Sequence, residues 1–72
     1  MNKGDIIEYK NDKRETKIFI GKMSDTHCNT RTVTTVNSKP YTSYSRRRIS
    51  EIEELIKDNN ATVTQENPSP TK

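Results

Sequence analysis

Residues 5–23 read DIIEYKNDKRETKIFIGKM, and their spacing decides between helix and strand. In Asp5–Lys10 an extended chain sets Ile7 and Tyr9 on one face and Ile6 and Glu8 on the other, the two-residue period of a half-buried strand. Gly4 in front of it permits a sharp turn of the chain. Asn11, Asp12, Lys13 and Arg14 open with two turn formers, so the chain is expected to reverse there into a second strand over Glu15–Met23. Ile18 and Ile20 then point one way and Phe19 the other, with Gly21 marking a bulge or bend.

Working outward, Ser24–Asn29 has the polar chemistry of a loop. Thr30–Asn37 strings Thr and Val together, and their β-branching suits a pleated strand and disfavours a helix. Asn37, Ser38, Lys39 and Pro40 predict the next turn, because proline fixes its own φ and biases Lys39 towards extended geometry. A fourth strand from Tyr41 to about Arg47 follows, although Tyr41 and Tyr44 cannot share one face of it without a bulge. The period changes at residue 49: Ile49, Ile52, Leu55 and Ile56 line one side of a helix over Glu51–Asp58. Ser50 with Glu53 fits a capping box, and Glu51, Glu53 and Glu54 sit at the positive end of the helix dipole. Lys57 stands near its end, and Asn59 and Asn60 can close it. Val63 is the one apolar side chain among the polar and proline residues that follow Ala61. Residues 1–60 are therefore expected to form one domain and residues 61–72 a mobile tail. The fold class expected is mainly β: a four- to five-stranded antiparallel sheet or SH3-like barrel with one short C-terminal helix. Its expected core is Ile18, Ile20, Val33, Val36 and Ile52.

Composition narrows the function. The chain has 72 residues and 26 % hydrophobic side chains, so its core must be small. The longest apolar run is Ile18, Phe19 and Ile20, against roughly 20 residues for a bilayer span, and no secretory signal opens the chain. No membrane partner is expected. Cys28 is the one cysteine, which rules out an intrachain disulfide and suits a reducing cytoplasm. Lys, Asn and Ile supply 22 of the 72 residues, and their AT-rich codons suit the genomes of low-GC bacteria or their viruses. Residues 1–50 carry eleven cationic and five anionic side chains, residues 51–72 two and five. A basic body before an acidic segment predicts either a surface for polyanions or internal charge pairing.

Gly4, Asp5, Ile6 and Ile7 resemble the Gly-Asp-apolar opening strand of SH3-like small barrels of the KOW type, and Ile18, Ile20 and Gly21 resemble a following strand. The resemblance spans residues 4 to 49, and the loop Asn11–Arg14 lacks the glycines of KOW motifs. It implies a binding module for nucleic acid or protein, without catalysis.

The residues that carry a functional signal are Arg46, Arg47 and Arg48 with Tyr41 and Tyr44 before them. Arginine grips phosphate bidentately and tyrosine stacks on bases, so they are expected to form a basic face with Lys17, Lys22 and Arg31 as further phosphate contacts. The competing reading pairs the arginines with Glu51, Glu53 and Glu54, or leaves them simply solvating the surface, and sends the tyrosines into the core. His27 and Cys28 beside Asp25 fall short of the four ligands of a structural zinc site, and as neighbours in an extended segment they point apart, which disfavours a Cys–His catalytic pair. Arg47, Arg48, Ile49 and Ser50 match a basic-directed kinase site, with Ser50 already expected as a helix cap. No catalytic residue, metal or cofactor is expected. The partner expected is nucleic acid, or an acidic protein surface if the chain is an interaction or inhibitory factor of the kind small viral proteins provide.

Overall fold

The computed structural model of the chain describes residues 1–65. Five strands form one antiparallel sheet: β1 (Asp5–Asn11), β2 (Arg14–Met23), β3 (His27–Val36), β4 (Lys39–Arg48) and β5 (Thr62–Gln65), with α1 (Ile49–Asn59) between the last two. Their order across the sheet is β4-β3-β2-β1-β5, so β1 to β4 are a meander and β5 returns beside β1. The sheet is open, with β4 and β5 as its two edges.

Turn chemistry sets the register. Asp12 turns the first hairpin at φ 53°, and Asn37 and Ser38 turn the third at φ 53° and 68°, both positive as a two-residue type I′ turn requires. Lys39 and Pro40, expected in that turn, belong to β4 instead. Proline is accommodated there because β4 is an edge strand whose outer side has no ladder to break. The loop between β2 and β3 is also shorter than its composition suggests: Ser24 Oγ accepts the amide of His27 at 3.1 Å, and the Ser24 amide donates to the His27 carbonyl at 2.8 Å. The ladder therefore resumes at His27.

Pairing Ile7 with Ile18, and Ile20 with Thr30, puts these four on one face. With Cys28 and Ile52 of α1, the three isoleucines make the buried core. Val33 and Val36 are not part of it. Val33 opposes Lys17, on the far side of the sheet from Ile18, and Val36 lies at the hairpin end opposite Arg14. The inward positions of β3 go to Cys28 and Thr30, and Thr30 Oγ1 bonds the carbonyl and hydroxyl oxygens of Ser45 at 3.2 and 2.9 Å. A threonine can be buried there because its hydroxyl is satisfied.

The helix begins two residues before the expected start. The Thr26 carbonyl accepts the Ile49 amide at 2.9 Å, Arg48 is the N-cap, and Glu51 Oε1 accepts the Arg48 amide at 3.2 Å. Arginine has no acceptor to return the favour, so one half of a capping box forms and Ser50 lies inside the helix. Of the three glutamates, Glu51 alone lies in the first turn. The predicted stripe holds: Ile52 is fully buried, with Ile49, Leu55 and Ile56 packed around it. Asn60, in the left-handed conformation at φ 52°, ends the helix, and the Ala61 amide donates to the Ile56 carbonyl at 2.9 Å.

The domain does not stop at residue 60. Thr62–Gln65 pair with Asp5–Glu8, so the first part of the expected tail is a strand; residues 66–72 lie outside the described residues. Backbone pairing to an existing edge, rather than apolar burial, holds β5, since all four of its residues are exposed. It also closes over Asp5, a carboxylate 5 % exposed, whose oxygens accept Gln65 Nε2 at 3.0 Å and the Asn2 amide at 2.8 Å.

Candidate functional site

The helix covers one face of the sheet, and the other is open. Cross-strand partners share a face, so the pairs Ile6–Phe19, Phe19–Arg31 and Arg31–Tyr44 draw one row across β1 to β4 on the open side. The Arg31 guanidinium carbon lies 4.2 Å from the centroid of the Phe19 ring, a cation–π contact that holds an exposed arginine in one orientation. Tyr44, one strand further out, is 75 % exposed.

The next row is shaped by a bulge. The β2–β3 register shifts between Ile20 and Met23, so Gly21 and Lys22 together oppose Asn29, and both reach the open side. Asn29 pairs in turn with Arg46. A hollow of about 370 Å³ opens beside this bulge, lined by Lys3, Phe19, Lys22, Asn29, Arg31 and Tyr44 among others, with no carboxylate in its wall.

On the other side of the Phe19 row the charges cancel. Glu8 pairs with Lys17, and Lys10 with Glu15, and the Lys17 Nζ to Glu8 Oε1 distance is 3.4 Å. Cationic character on the open face is therefore concentrated at the bulge end, in Lys3, Lys22, Arg31 and Arg46.

The basic face expected from the sequence is thus divided by strand alternation. Arg31, Tyr44, Arg46 and Lys22 come together at the bulge end; Arg48 shares their parity on β4 and also caps the helix. Lys17 is on the same face in the charge-balanced half. Tyr41 and Arg47 are on the opposite face, because Tyr41 pairs with Thr34 and Arg47 with Cys28. There Tyr41 is 60 % exposed rather than inward. Arg47 borders a groove with Glu51, Glu54 and Asp58, and its Nε donates to Ser45 Oγ at 3.3 Å. Among the described residues none of the three arginines forms an ion pair, so the pairing with the helix glutamates is not made. Phe19 and Lys3, absent from the sequence-based set, belong to the site; the outward parity of Phe19 was readable, the position of Lys3 was not.

His27 and Cys28 point apart as expected. His27 Nδ1 is 2.7 Å from Thr26 Oγ1, while Cys28 is buried and burial pushes its thiol above the ordinary value, away from the thiolate that metal binding or nucleophilic attack needs. Among the described residues no three His, Cys, Asp or Glu side chains are grouped as metal ligands, and no helix is long and apolar enough to cross a membrane. Comparison with family models, with curated proteins and with solved structures finds no match to this chain.

Proposed function

We propose that the chain is a non-catalytic binding module that takes nucleic acid on the open face of its sheet. One observation carries this reading: Lys3, Lys22 and Arg31 line the same hollow as Phe19 and Tyr44, without a carboxylate in its wall. Cations that lack anionic neighbours are what a polyphosphate neutralises with release of its counterions, and the exposed Tyr44 ring among them offers bases a surface. Kinship with the SH3-like, KOW-type barrels belongs to the same proposal, as does a cytoplasmic location for a chain with a single cysteine.

The salt dependence of binding tests it. Arg46→Ala removes a cation beside the hollow and is expected to weaken binding of a labelled oligonucleotide and to lower the slope of log K against log salt by about 0.7 on a single strand or about 0.9 on a duplex. Arg47→Ala, on the other face beside three carboxylates, is expected to change the slope much less. Absence of binding at low salt overturns the reading.

A second reading rests on β4, whose ten residues are all exposed and whose outer edge is unpaired among the described residues. A protein partner could add a strand there, which suits an interaction or inhibitory factor. Lys39, Pro40 and Arg46–Arg48 along that strand are of the types that discourage indiscriminate pairing, so an acidic strand is the partner this edge favours.

A further inference from the structure

We infer that the ligand of the open face is a single strand rather than a duplex, with bases stacked on the Tyr44 ring and on the outer plane of the Arg31 guanidinium; this rests on the nucleic-acid reading above. Three observations lead there. The first is the exposure of Tyr44 on the open face. In a duplex the faces of the bases are covered by their neighbours and only edges and phosphates are within reach. A flat, solvent-exposed ring finds a complementary surface in unstacked bases.

The second is the Arg31–Phe19 contact. With its carbon 4.2 Å from the Phe19 ring centroid and the residue exposed, the guanidinium has one side against that ring and the other free for a base. Arg31 and Tyr44 are direct partners on adjacent strands, about 5 Å apart in the sheet, so the two stacking surfaces adjoin. Lys3, Lys22 and Arg46 flank them where the phosphates of an unwound strand would run.

The third is shape. Five strands span about 19 Å, wider than the roughly 12 Å major groove, which admits a helix or a two-stranded ribbon. Helix α1 has the right girth, but of its six exposed side chains four, Glu51, Glu53, Glu54 and Asp58, are carboxylates against the single cation Lys57, and a polyanion is repelled by them. Neither the sheet face nor the helix fits a groove, whereas the face fits an extended strand.

The test compares the full chain's binding of a fluorescent oligothymidine with that of a hairpin duplex carrying the same number of phosphates. At least about tenfold tighter binding of the single strand is expected. Tyr44→Ala is expected to weaken single-strand binding by about 5- to 140-fold, the range of one lost base stack, and to leave the salt slope unchanged because no phosphate contact is lost. Tyr44→Phe keeps the ring and should bind like wild type. Tyr44→Leu keeps apolar bulk without a π face and should bind as weakly as alanine, which separates stacking from any effect on folding. Equal or tighter binding of the duplex, or wild-type affinity in Tyr44→Ala, overturns the single-strand inference and leaves the nucleic-acid reading standing. Failure of both probes to bind at low salt removes both.

Discussion

Ile52 is the fully buried residue of α1, and replacing it by Ala tests whether the helix roofs the core. The substitution removes three carbons. At about 0.8 kcal/mol for each buried methylene-sized group the lost transfer energy is about 2.4 kcal/mol. A residual cavity of about 50 Å³, at ~24 cal/mol per Å³, adds about 1 kcal/mol. The expected loss is therefore about 3.5 kcal/mol, against a total stability of about 4–10 kcal/mol for a domain of this size. In urea unfolding followed by circular dichroism, with a slope of about 1 kcal/mol per molar, the midpoint should fall by about 3.5 M, enough to unfold much of the population without denaturant if the wild type lies at the low end. Ile6→Ala is the control. Its side chain is half-buried on the open face, next in sequence to fully buried Ile7, and should cost about 1 kcal/mol because much of its surface is already wet. If Ile52→Ala costs no more than Ile6→Ala, α1 does not close the core and the division into a covered and an open face is wrong.

Ser38 holds φ 68° without being glycine. Relief of a left-handed strain of about 1–2 kcal/mol outweighs the extra entropy of an unfolded glycine, so Ser38→Gly should raise stability by up to about 1 kcal/mol, read as a higher urea midpoint. A chain ended at Asn60 loses β5 and the Gln65 bond to buried Asp5; the expected loss is about 2 kcal/mol, and an unchanged melting temperature would show that β5 adds nothing. Cys28 gives a pH dependence of known sign. Burial raises its thiol above the ordinary 9.0, so as pH climbs past 9.0 the unfolded chain loses its proton first. The contribution to stability is intact below that value and declines from it towards the higher folded value. The difference in urea midpoint between wild type and Cys28→Ala should shrink across that range, and a difference independent of pH would refute it.

The alternation of Ile7 with Ile6, and of Ile18 and Ile20 with Phe19, was legible because a strand buried on one face writes its register into its sequence. The helix stripe was legible for the same reason at a period of 3.6. The failures share another cause: long-range hydrogen bonds that leave no local mark. Ile49 starts the helix because a carbonyl from Thr26, more than twenty positions earlier in the chain, accepts its amide. Thr62–Gln65 form a strand because β1 offers an open edge, not because Val63 seeks burial. In β3 the apolar residues misled, since Val33 falls on the outward parity and Thr30 on the inward one. Which valines enter a core is decided by the neighbouring strand's register.

One register thus governs both stability and the candidate site. A slip of one residue between β2 and β3 would bring Phe19 and Lys17 under the helix and turn Ile18 and Ile20 to solvent; the three isoleucines that resist the slip also keep Phe19 and Arg31 together on the open face. The exception to strict alternation is the step at Gly21 and Lys22, where two residues oppose Asn29. Without that extra residue, Lys22 would take the inward parity that Met23 now has, packed against the core. The bulge lets β2 keep Met23 inside and still give the open face a cation beside the hollow. The row of Phe19, Arg31 and Tyr44 follows from burying the isoleucines, while the added charge at Lys22 requires a departure from the regular strand.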